Sequence, residues 1–487
     1  MEQPTEEREF KREINLRTAI MIVIGSMIGS GIFIVSADIA RTVGSPGHLL
    51  LVWFITGVLT LIGALSYGEL AGMMPHAGGQ YVYLRESYGK LIGFLYGWTL
   101  FMVIQTGTIA AVAVAFAKFT GVLIPAVSEN NILMDFGFLK ITGAQLLAIV
   151  SVIFLTWVNT RGLKGGKFIQ DTFTAAKVLA LAGLILLGIT VAQNPEAMAQ
   201  NWNNFWNASR TVVENGQIVN RESLSGMMLM AMIGVAMVGS IFSSDAWNNV
   251  TFTGSEIVNP KRTIPISLFV GTTVVTLLYI LANVAYLLVL PVEGNPAGTD
   301  IFSRGIQFAT NDRVGTAVAS GIFGEAGAII MAVLIMVSTF GCNNGLILSG
   351  ARVYFAMAKD GLFFKKAGEL NRNGVPSGAL VAQGIWACIL CLSGRYGDLL
   401  DYVVFAVLIF YILTIAGIFI LRRKRPDVER PYKAFGYPIL PALYIVAALA
   451  ICIDLLIFKP QFTYPGLAIV LAGIPVFYIW RKKEAVT

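Results

Sequence analysis

Long apolar runs separated by short polar stretches dominate the chain. A helix needs about 20 mostly apolar residues to cross a hydrocarbon layer roughly 30 Å thick, and runs of that order recur from end to end. The pattern predicts about twelve spans, over residues 14–43, 49–70, 91–122, 146–158, 175–191, 227–253, 266–290, 316–357, 378–392, 399–421, 439–458 and 463–480. The expected fold class is therefore an all-α polytopic membrane protein.

Small polar residues and glycine interrupt two of these spans. The first carries Gly25-Ser-Met-Ile-Gly-Ser-Gly31 and the sixth carries Gly239-Ser-Ile-Phe-Ser-Ser-Asp245. The first span and the sixth start on opposite sides of the membrane, so two five-helix halves that begin with them have opposite topology, an inverted repeat. The expected organisation is a tail (residues 1–13), a first repeat (14–192), an outward loop (193–227), a second repeat (228–422), two further spans (423–480) and a second tail (481–487).

Glycine in a membrane helix also serves close packing, and Gly25 with Gly29 fits a small-xxx-small pattern. Two breaks at matching positions favour a binding site instead. An unwound helix in lipid leaves N–H and C=O groups unpaired at several kcal/mol each, tolerated only where protein, water or ligand meets them. A zwitterion satisfies both kinds: the half-helix starting near Ser30 and Gly31 aims amides and a positive dipole end at a carboxylate, and the preceding carbonyls suit an ammonium.

Composition excludes a soluble core, since 56% of the 487 residues are hydrophobic and 13% charged, against about 25% charged in soluble domains. Alternating the loops places most of the 35 Lys and Arg on the side of the N-terminus, which predicts cytoplasmic termini in a plasma membrane. The net charge of +7 is then topology, and no nucleic acid is expected as a partner. The glycine-rich start has no small-residue cleavage site and reads as part of the fold. Cys342, Cys388, Cys391 and Cys452 all fall in spans, so they read as packing residues.

Further motifs then fall into a known arrangement: Gly29-Ser-Gly-Ile-Phe33, Gly68-Glu-Leu70 with Pro75-His-Ala-Gly-Gly-Gln-Tyr81, and Glu256-Ile-Val-Asn-Pro-Lys-Arg-Thr-Ile-Pro265. They resemble the amino acid, polyamine and organocation transporter superfamily. Val158-Asn159 and Gln170-Asp-Thr-Phe-Thr-Ala-Ala-Lys-Val-Leu-Ala180 make the chain most similar to its L-type amino acid transporter branch, over residues 13–358.

The resemblance implies a LeuT-like inverted repeat of five plus five helices and a secondary active amino acid transporter working by alternating access. By position it places the substrate carboxylate on Gly29, Ser30 and Gly31, and the amine on the carbonyls of Met27, Phe242 and Ser243. Phe242 becomes an outer gate, and Ser244, Asp245 and Gln105 line the pocket. Asp245 admits two readings, attraction of the substrate's positive charge or a helix cap, and Trp247 beside it limits side-chain length.

A cation at the centre of a span costs about 2.5 to 3.5 kcal/mol on insertion scales, so Lys118, Lys177 and Arg352 each need a partner or a task. Similar transporters place a lysine at the position of Lys177 where sodium-driven relatives bind sodium, bridging the first break near Gly29 to Ser338 or Thr339 in the eighth span. Sodium coupling is then not expected. Exchange of small to medium neutral L-amino acids is the preferred reading, with proton symport or a non-transporting amino acid sensor as alternatives.

Arg352 is expected to extend toward the interface, Lys118 and Asp454 to snorkel or pair, and Glu69 and Glu256 to organise the cytoplasmic mouth. His48 and His76 sit beside loop Pro and Gly residues with no metal-ligand spacing, so neither enzyme chemistry nor a cofactor or metal is expected. Mammalian members of the branch join a single-span glycoprotein by a disulfide after the third span. Residues 125–140 hold no cysteine, so no such heavy chain is expected, and oligomeric state stays open.

Overall fold

The computed structural model describes residues 9–135, 140–214, 216–393 and 396–484. Among them, ten helices are long and apolar enough to cross a membrane by length and composition. The first span is broken instead into α1 (Leu16–Met27) and α2 (Ser36–Val43). The Asn15 side chain caps α1 by accepting from Thr18 N at 3.0 Å, the usual service of Asn at a helix start.

Next come α3 (Pro46–Met73), α4 (Gln80–Tyr88), α5 (Lys90–Thr99) and α6 (Gln105–Leu123). A π-helical turn, Leu100–Ile104, joins the last two into one span and directs Gln105 inward. A short hairpin, β1 (Ile132–Asp135) and β2 (Lys140–Thr142), precedes α7 (Gly143–Thr160). Thr142 and Gln145 close a reciprocal capping box at the start of α7.

After α8 (Leu163–Thr190) the loop segment carries α9 (Pro195–Asn203) and a hairpin of β3 (Ser209–Glu214) and β4 (Gln217–Ser223). The sixth span is again broken, into α10 (Gly226–Ser243) and α11 (Asn249–Phe252). Ala246 within that break adopts φ 63°, a left-handed conformation that costs a residue with a β-carbon about 1 kcal/mol or more. The helix cannot continue through it.

The remaining helices are α12 (Pro260–Val289), α13 (Ile301–Arg304), α14 (Val314–Phe323), α15 (Ala326–Lys359), α16 (Ser377–Ser393), α17 (Tyr396–Lys424), α18 (Ile439–Phe458) and α19 (Pro460–Glu484). The span expected over residues 316–357 is in fact two helices, because Gly324 takes φ 61° and ψ −138° between α14 and α15. The hydropathy of the two runs is continuous, and only the glycine turn separates them. Helix α1 packs against α8, α12 and α15, and α10 against α2 and α3, which brings both breaks to the middle of the bundle.

Candidate functional site

The carbonyls of the first break are met one after another by side chains from neighbouring helices. Lys177 Nζ of α8 donates to Gly25 O at 2.8 Å, Ile28 O at 2.7 Å and Ser338 O of α15 at 3.0 Å. Cys342 Sγ lies 3.1 Å from Ser26 O. The Ser338 hydroxyl stands 3.1 Å from Ile28 O and 3.0 Å from Gly29 O. Buried C=O groups that a helix can no longer serve thus find side-chain partners.

Tyr279 of α12 joins the two breaks. Its hydroxyl lies 3.1 Å from Met27 O and 3.0 Å from Ser243 O, with one proton to donate between them. Direct packing reinforces the link, since a β-carbon on Gly31 would overlap the Ser243 side chain. Helical bonding resumes with Phe33 N donating to Ser30 O and Val35 N to Gly31 O. The amides of Ser30 and Gly31 therefore open a helix rather than continue one.

A small cavity with polar groups in its wall lies at the second break. Gln80, Gln105, Thr108, Asp245, Asn248 and Asn249 contribute to its wall. The Tyr411 hydroxyl donates to Asp245 Oδ1, and Gln80 accepts from Asn248 Nδ2 at 2.8 Å while donating to Thr414 at 3.0 Å. Asn249 Nδ2 and the Tyr96 hydroxyl, both buried at this cavity, have no hydrogen-bond partner among the described residues. Trp247 lines a separate small cavity that shares Asp245 and Tyr411 with this one, and sits edge-on to Tyr67 at 4.8 Å and tilted on Tyr411 at 5.1 Å.

The two helix breaks thus face each other in the middle of the bundle, joined by a tyrosine, with a buried ammonium seated on the first. A family model described as amino acid permease matches residues 14–479. The chain belongs to the amino acid permease family. It is a multi-pass membrane protein of an amino acid transporter family.

Similar proteins cover nearly the whole permease. The large neutral amino acids transporter small subunit 2 of Mus musculus is 30% identical over 97% of this chain and 82% of its own length. The serine/threonine exchanger SteT of Bacillus subtilis is 30% identical over 99% of both chains. The b(0,+)-type amino acid transporter 1 of Mus musculus is 27% identical over 96% of this chain and 87% of its own.

In the permease, most residues singled out from the sequence come together. Met27, Gly29, Ser30, Gly31 and Ser243 meet at the joined breaks, with Phe242 half-buried on the last turn of α10. Asp245 and Gln105 line the polar cavity, and Ser244 lines a second small cavity on the other side of Asp245. Thr339 does not reach Lys177: its hydroxyl bonds back to Ile335 O at 2.7 Å, whereas Ser338 one position earlier faces the break.

Arg352 also departs from expectation. It does not extend to the interface but is 1% exposed and forks onto Glu256, at 2.9 and 3.2 Å. Glu69 holds the same face together through Arg422 at 2.7 Å and Ala434 N at 2.7 Å. Lys118 pairs with Glu129 at 3.5 Å. Asp454 Oδ2 is buried facing Gly234, without a hydrogen-bond partner among the described residues.

Tyr279, Tyr411 and Asn249 were not singled out from the sequence. Asn249 had a signal, since it follows Trp247-Asn248 in the break. Tyr279 had none, because an aromatic in a long apolar span reads as core.

Proposed function

We propose that the permease is a sodium-independent exchanger of small to medium neutral L-amino acids. The observation that carries this is the Lys177 ammonium, seated on the carbonyls of Gly25, Ile28 and Ser338. A fixed positive charge there supplies what a sodium ion would bring, so no ion has to accompany the substrate. The relatives' descriptions as transporters of neutral amino acids and as a serine/threonine exchanger support the same reading.

The substrate carboxylate binds the Ser30 and Gly31 amides beside Gly29, and its ammonium donates to the carbonyls of Met27, Phe242 and Ser243, a carbonyl oxygen having two lone pairs. Because Tyr279 ties Met27 to Ser243, binding requires the breaks to part, and Phe242 closes over the occupied site. The side chain extends toward Asp245, Ser244 and Gln105, where Trp247 limits its length. Residues 14–192 and 228–422 act as the two inverted repeats that rock about this site.

Basic residues place the N-terminal face in the cytoplasm of a plasma membrane. With no cysteine over residues 125–140, the permease works without a disulfide-linked partner.

The test is uptake of labelled amino acids by proteoliposomes loaded with unlabelled amino acid, loaded with none, or given an inward proton gradient, with sodium omitted and restored. Exchange predicts uptake only into amino acid-loaded vesicles, unchanged by sodium. Proton-driven uptake into empty vesicles would overturn it, as would binding without flux.

A further inference from the structure

An apolar groove with a volume of about 500 Å³ runs between α7 and α16 on the outer surface of the bundle. Ile153, Thr156, Trp157, Gly384, Ile385 and Cys388 form its centre. From Ile149 to Thr160 it follows the helix for about 16 Å at 1.5 Å per residue, close to one leaflet of the hydrocarbon layer. Gly384 keeps it open, because a β-carbon there would come within 2.8 Å of Thr156 Oγ1. That hydroxyl is buried at the groove with no hydrogen-bond partner among the described residues.

The end of the groove on the N-terminal face is basic. The Arg161 guanidinium lies 5.1 Å from the centre of the Trp157 ring. Asn371 Nδ2 donates to Thr160 O at 2.8 Å, which brings the loop carrying Arg372 to the same corner. Arg161 and Arg372 are exposed, and neither has an ion pair among the described residues. Glu9 and Glu13 line the vestibule that these arginines share, and Glu256 there is already paired with Arg352.

We propose that this groove is a binding site for one anionic glycerophospholipid. An acyl chain lies along Ile153 and Ile385, a polar linkage oxygen accepts from the Thr156 hydroxyl, and the phosphate rests between Arg161 and Arg372. Charge complementarity selects the occupant: a neutral lipid gains only the apolar contact, whereas an anionic headgroup is also attracted to each nearby cation. The proposal is independent of which substrate the permease carries.

Native mass spectrometry of the full chain in neutral detergent, titrated with phosphatidylglycerol or phosphatidylcholine, tests it. One phosphatidylglycerol is expected to be retained at a concentration at least tenfold below that for phosphatidylcholine. The double variant Arg161→Gln/Arg372→Gln should remove that preference, and Ile385→Trp, which fills the groove, should remove retention of the bound lipid itself. Both variants are checked for an unchanged lipid-free thermal midpoint. Equal retention of the two lipids, preference surviving in the arginine variant, or a co-purifying membrane helix occupying the groove would each overturn the proposal.

Discussion

The Lys177 ammonium of α8 donates to the Ser338 carbonyl of α15 at 3.0 Å, and its other two bonds end on the first break. One side chain therefore registers three helices at the point where the backbone is least able to support itself. Replacing it by an apolar chain of similar length, Lys177→Met, removes the donor shared by the Gly25, Ile28 and Ser338 carbonyls. Exchange in proteoliposomes should fall at least tenfold, and stability should drop by on the order of 2 kcal/mol, the cost of losing hydrogen bonds to a charged group, read as a lower thermal midpoint. Wild-type flux in this variant would remove Lys177 from the mechanism.

Tyr279→Phe deletes only the hydroxyl that links Met27 O to Ser243 O. A single hydrogen bond contributes about 0.5 to 1.5 kcal/mol net, so the fold should survive with a small shift in midpoint. If the link holds the breaks closed, half-saturation for exchange changes several-fold and maximal flux changes with it. Kinetics identical to wild type would show that the breaks are held by other contacts.

Gly31→Ala places a β-carbon onto the Ser243 side chain. Substrate binding, read by equilibrium binding to the purified protein, should be lost. Gly31→Ala combined with Ser243→Gly should recover part of it, since the side chain in the way is removed. No recovery would mean that the methyl acts on the substrate rather than on the second break.

Arg352 and Glu256 form a buried pair, at 1% and 3% side-chain exposure. Removing one partner of such a pair costs about 3 to 5 kcal/mol, whereas replacing both by apolar groups is often neutral. Arg352→Met should lower the thermal midpoint strongly, and Arg352→Met with Glu256→Met should restore most of it. The double variant is also predicted to transport, unless the pair itself opens and closes during the cycle.

Asn249 presents an unpartnered donor to the polar cavity. A site that hydrogen-bonds a substrate group rejects analogues lacking it far more strongly than an apolar pocket does. Asn249→Leu should therefore shift competition in the exchange assay toward alanine, valine and leucine, at the expense of serine and glutamine. An unchanged selectivity profile would place the substrate side chain elsewhere.

Much of this protein was legible in the sequence because the relevant properties are local. Apolar runs mark spans, and the clusters Gly25 to Gly31 and Gly239 to Asp245 sit at helix breaks, although Gly25 to Met27 and Gly239 to Ser243 are still helical and the second break runs on to Asn248. The cost of burying a cation singled out Lys177 in the same way. Even so, the continuous hydropathy over residues 316–357 concealed the turn at Gly324.

Partners are a different kind of information. The facing of one helix toward another depends on its rotation about its axis, which sequence spacing alone leaves open. The hydroxyl of Ser338 rather than that of Thr339 meets the first break because adjacent helical positions point about 100° apart and only one faces Ile28 and Gly29. Arg352 turned inward because Glu256, 96 residues earlier, waits there buried. Tyr279 acquired its place only when α12 packed on α1 and set its hydroxyl between carbonyls 216 positions apart in the chain (243 − 27). The sequence by itself determined where the helices run and where they break; the tertiary structure decided what stands in each break, because hydrogen bonds across a bundle are made by side-chain direction and distance.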